Sequence, residues 1–281
     1  MDGILLINKP IGLTSRDVVN KLTKKFGTKK IGHTGTLDPF ASGVLILTIN
    51  KGTKISSYIE DLDKEYIAEL LLGISTDTLD LEGEIISKKE VKLPLNKEKV
   101  LEVISHYIGQ IKQVPPMYSA LKVNGEPLYK LARRGEVIER KERDIIIHNI
   151  DLLSITNERL LINVKCSKGT YIRTLGNDIG NELGYGGHLT MLTRTRVGKY
   201  NLDMCKSIEE VTLDDVIPIT EALEHLPCKV VYGFLETKVI NCVALFLGEE
   251  ELLFVKNDKD EPLAIYKKQD DGKHHCLRGL F

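Results

Sequence analysis

The tripeptide Thr-Leu-Asp occurs twice in this chain, at residues 36–38 and 78–80, and the two carboxylates have different company. Asp80 stands among Asp77, Glu82 and Glu84, neighbours that repel an anionic ligand. Asp38 follows Lys24, Lys25, Lys29 and Lys30, lies in a glycine-rich stretch able to approach a ligand closely, and precedes Pro39, which stiffens the turn. An acid so placed can act on a polyanion as nucleophile or base, or it can close an Asx-turn; the residues alone leave both open. Further on, Tyr171 and Arg173 lie two positions apart at a strand-to-helix junction. They are either a core tyrosine and a surface arginine, or a ring to pack on a nucleobase and a guanidinium to hold a buried carboxylate ionised.

Other chemistry is weaker. Gly27-x-x-x-x-Gly32-His33-Thr34 nearly matches a phosphate-binding loop, but His33 stands where the phosphate-pairing lysine belongs, and no strand precedes it. Asp77, Asp80, Glu82 and Glu84 lack the spacing of a calcium loop and read as a solvated acidic segment. His274, His275 and Cys276 offer metal-ligand types, yet adjacent side chains diverge and no fourth ligand is suitably spaced, so an exposed tail is expected and no metal.

Positioning these residues needs a folded scaffold. The chain has 281 residues, 42% hydrophobic and 28% charged, enough for one large domain and a smaller one. No run approaches the roughly 18 apolar residues of a membrane span. Met1 to Pro10 carries an acid where a signal peptide carries positive charge, and reads as a first strand. Five scattered cysteines, never in Cys-x-x-Cys, argue against a disulfide framework or a zinc site and suggest reduced thiols in the cytoplasm. A net charge of −1 gives no global signature of a nucleic-acid binder. Locally, residues 1–35 hold six Lys and one Arg against Asp2 and Asp17, whereas residues 230–281 hold seven cations against nine anions. A polyanion is therefore expected at the N-terminal third.

Strands are predicted at residues 3–7, 43–49, 65–73, 144–153 and 159–166, and helices at 15–26, 51–61, 96–108, 126–134 and 170–183. Residues 27–43 and 75–84 read as irregular loops. The irregular alternation points to an α+β layout on a mixed sheet. After Pro227 short apolar runs broken by turns suggest a small all-β appendage.

Taken together, the strings GILLINKP (3–10), GHTGTLDPFASGVL (32–45), KEYIAELLLG (64–73), TDTLDLEG (76–83), PPMYSALK (115–122), CSKGTYIRTL (166–175) and GGHLTMLTRTRVG (186–198) resemble the TruB family of tRNA pseudouridine synthases. The resemblance implies a mixed, largely antiparallel sheet flanked by helices over residues 1–226. It also implies a small β-rich, PUA-like RNA-binding domain at 227–281. The implied activity is isomerisation of uridine to pseudouridine at position 55 in the T loop of tRNA, with the base flipped out and no cofactor. By position, Asp38 matches the nucleophile and Arg173 the cation that keeps its pKa low. Tyr66 matches the tyrosine that packs on the uracil and assists removal of the C5 proton, Tyr171 a second pocket tyrosine, Leu192 an apolar wall, and His33 the residue filling the space of flipped bases. A cytoplasmic monomer docked on the T-loop stem of tRNA, touching no membrane, is expected. RNA affinity is expected from the cationic first helix and from Lys130, Arg133 and Arg134. The rival expectations are a synthase for another RNA uridine and a non-catalytic RNA-binding or RNA-folding module.

Overall fold

The computed structural model describes residues 1–281 apart from Asn124. Strand β1 (Gly3–Lys9) leads to helix α1 (Ser15–Phe26). The Thr14 hydroxyl accepts the Asp17 N–H at 3.0 Å while the Asp17 carboxylate accepts the Thr14 N–H at 2.9 Å, a reciprocal cap that fixes the helix start. Strands β2 (Ile31–Thr34), β3 (Ser42–Ile49) and β4 (Lys64–Leu72) follow. Then come α2 (Lys97–Ser105), β5 (Gly109–Gln113), β6 (Arg143–Thr156), β7 (Arg159–Cys166), α3 (Ile172–Glu182), β8 (Gly187–Val197) and β9 (Ile217–Pro218).

These strands form one sheet in the order β9-β1-β3-β8-β4-β7-β6-β5, with β2 on β3 and the short strand Tyr200–Asn201 on β8. Among the described residues its single parallel pairing is β3 with β8. The fold is therefore α+β on a mixed, largely antiparallel sheet, as the irregular alternation of elements implies. Side chains alternate across it with period two. Leu5 and Ile7 of β1 and Leu45 and Leu47 of β3 enter the core beneath α1 and α3, while Ile4, Leu6, Val44 and Ile46 face the other way into a second core.

That second core receives the C-terminal unit. Strands β10 (Cys228–Val231), β11 (Leu252–Asn257), β12 (Pro262–Lys268) and β13 (His274–Gly279) form a separate four-stranded sheet beside helix α4 (Gly233–Ile240). Its Phe254, Ile265 and Leu280 pack onto Ile4, Leu6 and Val44, and Val255, Ala264 and Tyr266 fill a core of its own.

Several sequence expectations need correction. Residues 27–43 are not wholly irregular, because Ile31 and Thr34 are buried as β2 pairs antiparallel with β3. Strand β8 carries no legible strand pattern. Two bulges, between Leu189 and Met191 and between Arg194 and Arg196, shift its register and break the alternation that marks a strand. Residues 51–61 are a 3-10 turn (Asn50–Ile55) running into a short α-helix (Ser56–Glu60). Residues 274–276 are no exposed tail: they lie in β13, and the fully buried His274 has Nε2 2.7 Å from the Glu250 carbonyl.

Candidate active site

Asp38 sits on the loop between β2 and β3, and that loop is held at both ends. The Asp38 carbonyl accepts the Ala41 N–H at 3.1 Å, closing a turn with Pro39 at its second position. In the first turn of α1 the Ser15 hydroxyl accepts the Leu37 N–H at 2.9 Å and donates to the Leu37 carbonyl at 3.1 Å. The Lys9 ammonium, at the buried end of β1, donates to the carbonyls of Leu13 and Pro10 at 2.7 and 3.0 Å. Burial pulls the Lys9 pKa down to about 8, against an opposing pull from Asp38.

The far end of the loop is tied to β8. Gly43, at φ 106°, lets β3 approach closely: a Cβ there would stand 2.2 Å from the Arg194 carbonyl oxygen. The buried Arg194 donates from Nε to the Val44 carbonyl at 2.7 Å and from Nη2 to the Gly35 carbonyl at 3.0 Å. No sequence signal marked Arg194 or Lys9, since buried charges at strand positions look like surface residues in the one-dimensional pattern.

Arg173 rises from the first turn of α3 with a side chain only 5% exposed. Its Nε lies 2.9 Å from Asp38 Oδ2, and Nη1 lies 3.2 Å from Asp80 Oδ2. Nη1 and Nη2 also donate to the carbonyls of Thr78 and Tyr118 at 2.8 and 2.6 Å. The acidic segment is thus not the solvated loop its composition suggests. Ile74–Thr76 pairs with Ile85–Lys88 as a hairpin, and Asp80 is buried against Arg173, a residue 93 positions away. The other Asp80 oxygen accepts the Thr78 hydroxyl at 2.6 Å and the Glu82 N–H at 3.1 Å.

One guanidinium therefore serves two carboxylates. The Asp38 pKa is pushed up from the ordinary carboxylate value, first by burial and further by Asp80, while Arg173 and Lys9 pull it down without cancelling the rise. The expectation that Arg173 keeps this carboxyl low is corrected: burial, with Asp80 adding to it, outweighs the pull of Arg173. Asp38 still keeps 32% of its side chain exposed, turned into a cleft of about 530 Å3.

Tyr66, Tyr171 and Leu192 line the same cleft, together with Arg194, Lys64 and Arg143. Tyr66, on β4, lies directly opposite Arg194 on β8. Burial raises its phenol pKa, with Arg194 pulling back, so the free protein holds it as a neutral hydroxyl. Tyr171 precedes α3 and is clamped by the Gln113 amide, which accepts the Tyr171 N–H at 2.8 Å and donates to its carbonyl at 3.1 Å. Leu192 is buried on β8. His33 stands apart: it lies on β2 opposite Leu47, outside the cleft lining. Burial lowers the His33 pKa, with Arg16 and Arg194 adding to the effect, and its Nδ1 is buried without a hydrogen-bond partner among the described residues.

Four segments distant in sequence thus bring together one ionisable carboxylate, a cation, two aromatic rings and an apolar wall. Such a set can hold a planar polar ring and attack it or its attached sugar.

The chain as a whole is similar to known proteins. The sequence model of the TruB family pseudouridylate synthase N-terminal domain matches residues 23–172, and that of the tRNA pseudouridylate synthase B C-terminal domain matches residues 173–226. The tRNA pseudouridine synthase B of Clostridium kluyveri is 45% identical over 270 residues, spanning 95% of this chain and 92% of that protein. The protein of the same name from Bacillus licheniformis is 46% identical over 285 residues, spanning 94% and 92%. Among solved structures, the crystal structure of a Cbf5-Nop10-Gar1 complex contains a chain that superposes with a TM-score of 0.76 at 25% identity, covering 99% of this chain and 85% of its own length. An H/ACA RNP bound to a substrate RNA containing 2'-deoxyuridine gives 0.73 at 22% identity and shares the fold.

Proposed function

This chain belongs to the TruB family of pseudouridylate synthases and isomerises uridine to pseudouridine in tRNA; we propose that its target is the uridine at position 55 in the T loop, attacked by Asp38. The observation that carries this reading is the Asp38–Arg173 pair, 2.9 Å apart, at the wall of a cleft large enough for a nucleoside.

The reaction requires the bond from N1 to the ribose to break, the base to turn, and C5 to rejoin the sugar. A stacked base cannot do this, so the uridine is flipped into the cleft at a cost of a few kcal/mol, offset by stacking and backbone contacts. Tyr66 and Tyr171 supply ring faces and Leu192 the apolar wall. Asp38, ionised, attacks the ribose or the uracil ring. Arg173 stabilises that negative charge and holds the oxygens in place. The Tyr66 hydroxyl assists departure of the C5 proton after rejoining. His33, neutral and half-buried on β2, fills the stack vacated by flipped bases. Arg143 at the cleft meets a flanking phosphate, whereas Lys64 is buried with its ammonium on the Glu60 and Leu62 carbonyls and Lys168 is paired with Asp61 at 2.7 Å. Arg134 is engaged by Glu126 and Glu136 at 2.6 and 2.7 Å, which leaves less of the basic stretch free for RNA than its composition suggests.

Residues 1–226 act as the catalytic domain and residues 227–281 as a PUA-like RNA-binding domain. Its exposed Phe234 and Phe246, each with a lysine ammonium above the ring (Lys238 at 4.6 Å, Lys273 at 5.7 Å), suit stacking on nucleobases despite the acidic local balance. The chain acts as a monomer on the T-loop stem of one tRNA in the cytoplasm. No helix among the described residues is long and apolar enough to cross a membrane.

The test is to incubate the purified chain with an unmodified tRNA transcript and map every pseudouridine. Conversion at position 55 alone is expected. Conversion at other uridines only would favour a different RNA target, and binding without conversion would favour a non-catalytic module.

A further inference from the structure

Cys242 and Cys276 are 34 positions apart and their Sγ atoms lie 2.7 Å from one another. Three features of the small sheet hold them there. Leu245 and His274 exchange backbone hydrogen bonds at 3.0 and 2.7 Å, which sets the chain at residues 242–243 alongside β13. Tyr266 is the strand partner of Cys276, and its buried hydroxyl donates to the Val243 carbonyl at 3.1 Å. One tyrosine thus pins both cysteine-bearing segments. Cys242 itself adopts a left-handed backbone at φ 53° just after α4, with its N–H bonded to the Val239 carbonyl at 2.9 Å. A non-glycine residue in that region is uncommon and marks a locally imposed conformation.

We propose that Cys242 and Cys276 are a redox-responsive modification site that closes to a disulfide on meeting a small-molecule disulfide such as glutathione disulfide. The spread of five cysteines along the sequence hid this pair, because only the fold brings the two together.

The two thiols have different exposure and hence different roles. Cys242 is exposed and meets the oxidant; Cys276 is half-buried. The Cys242 thiolate attacks one sulfur of glutathione disulfide, forming a mixed disulfide and releasing one glutathione thiolate. The Cys276 thiolate then attacks Sγ of Cys242, forming the internal disulfide and releasing the second glutathione. Two protein thiols and one glutathione disulfide become one protein disulfide and two glutathione thiols, so atoms and electrons balance. Burial raises the Cys276 thiol to about 12, and Cys242 contributes to that rise. Capping Cys242 removes its contribution and eases the second step. The closed bond would link the end of α4 to β13 without touching the cleft. It is of the transient kind found in reducing compartments.

Cys228 is an internal control, being exposed with no other cysteine beside it among the described residues. The full-length protein is equilibrated with glutathione disulfide, quenched with acid, and mapped by mass spectrometry without reduction. We expect a Cys242–Cys276 cross-linked peptide carrying no glutathione, while Cys228 retains glutathione, and full recovery of five thiols on adding dithiothreitol. In Cys276→Ser the glutathione should stay on Cys242. Glutathione retained on Cys242 in the unaltered chain, both thiols free at equilibrium, or a link from Cys242 to Cys228 would overturn the proposal. None of these readouts depends on the RNA reaction.

Discussion

Asp38 and Asp80 end identical tripeptides and share one guanidinium, yet the fold makes them opposites. Asp80 is sealed, its side chain 5% exposed and its oxygens occupied by Arg173, the Thr78 hydroxyl and the Glu82 N–H. Asp38 keeps an open side facing the cleft and a pKa pushed upward. A carboxylate closed off from the cleft, with both oxygens hydrogen-bonded, can only position; one with an open side and a disfavoured charge can attack. The proposed nucleophile is distinguished by what remains unsatisfied, and Asp80 is bonded to the shared cation.

Short of removing Asp38 itself, the largest effect is expected from Arg173→Ala. It strips both carboxylates of their cation and leaves the buried Asp80 and the partly exposed Asp38 without a counter-charge at that side. Turnover should fall about 10³-fold and stability by about 3–5 kcal/mol, read by single-turnover pseudouridine formation and by urea unfolding. A rate within a few fold of the native one would break the comparison at its hinge.

Tyr66→Phe probes the cleft side alone. It retains the ring but removes the hydroxyl, so RNA affinity should hold while the final proton step slows about 10²-fold. An unchanged rate would leave Tyr66 with packing only.

Asp80→Asn sharpens the contrast further. It should slow turnover about 10-fold, in line with a positioning role. Because Asp80 raises the Asp38 pKa, its neutralisation should also move the acidic limb of the pH–rate profile to lower pH. An upward move would reverse the assigned roles.

The smallest effect is on stability. A carboxyl whose folded pKa lies above its unfolded value binds its proton more tightly in the folded state. Its contribution is full below the unfolded value, near 3.8, and is lost as pH rises through the folded value. Ionised Asp38 therefore costs stability at neutral pH, and Asp38→Asn should raise Tm there, with the gain shrinking as pH falls towards 4. A lower Tm at neutral pH would show that Arg173 outweighs burial.

How far these parts were legible varies with how local their cause is. Helix α1 was plain, since Val18, Val19 and Leu22 share one face and Thr14 caps it within three residues. Strand β4 was equally plain, because its alternation around Tyr66 is unbroken. Strand β8 was not, since two bulges flip its faces and a buried arginine occupies a core position. The burial of Asp80 is not legible because its sequence neighbours are acidic, while the cation paired with it arrives from α3. Adjacency in sequence describes a charge's surroundings poorly once the chain folds. For the same reason, composition and spacing left Asp38 open between a turn residue and a nucleophile.

The most direct test of the nucleophile assignment is to give Asp38→Asn a saturating unmodified tRNA transcript and measure binding and pseudouridine together. The account predicts a dissociation constant within about threefold of the native value and no pseudouridine at position 55. Pseudouridine formed by that variant, even slowly but to completion, would contradict it.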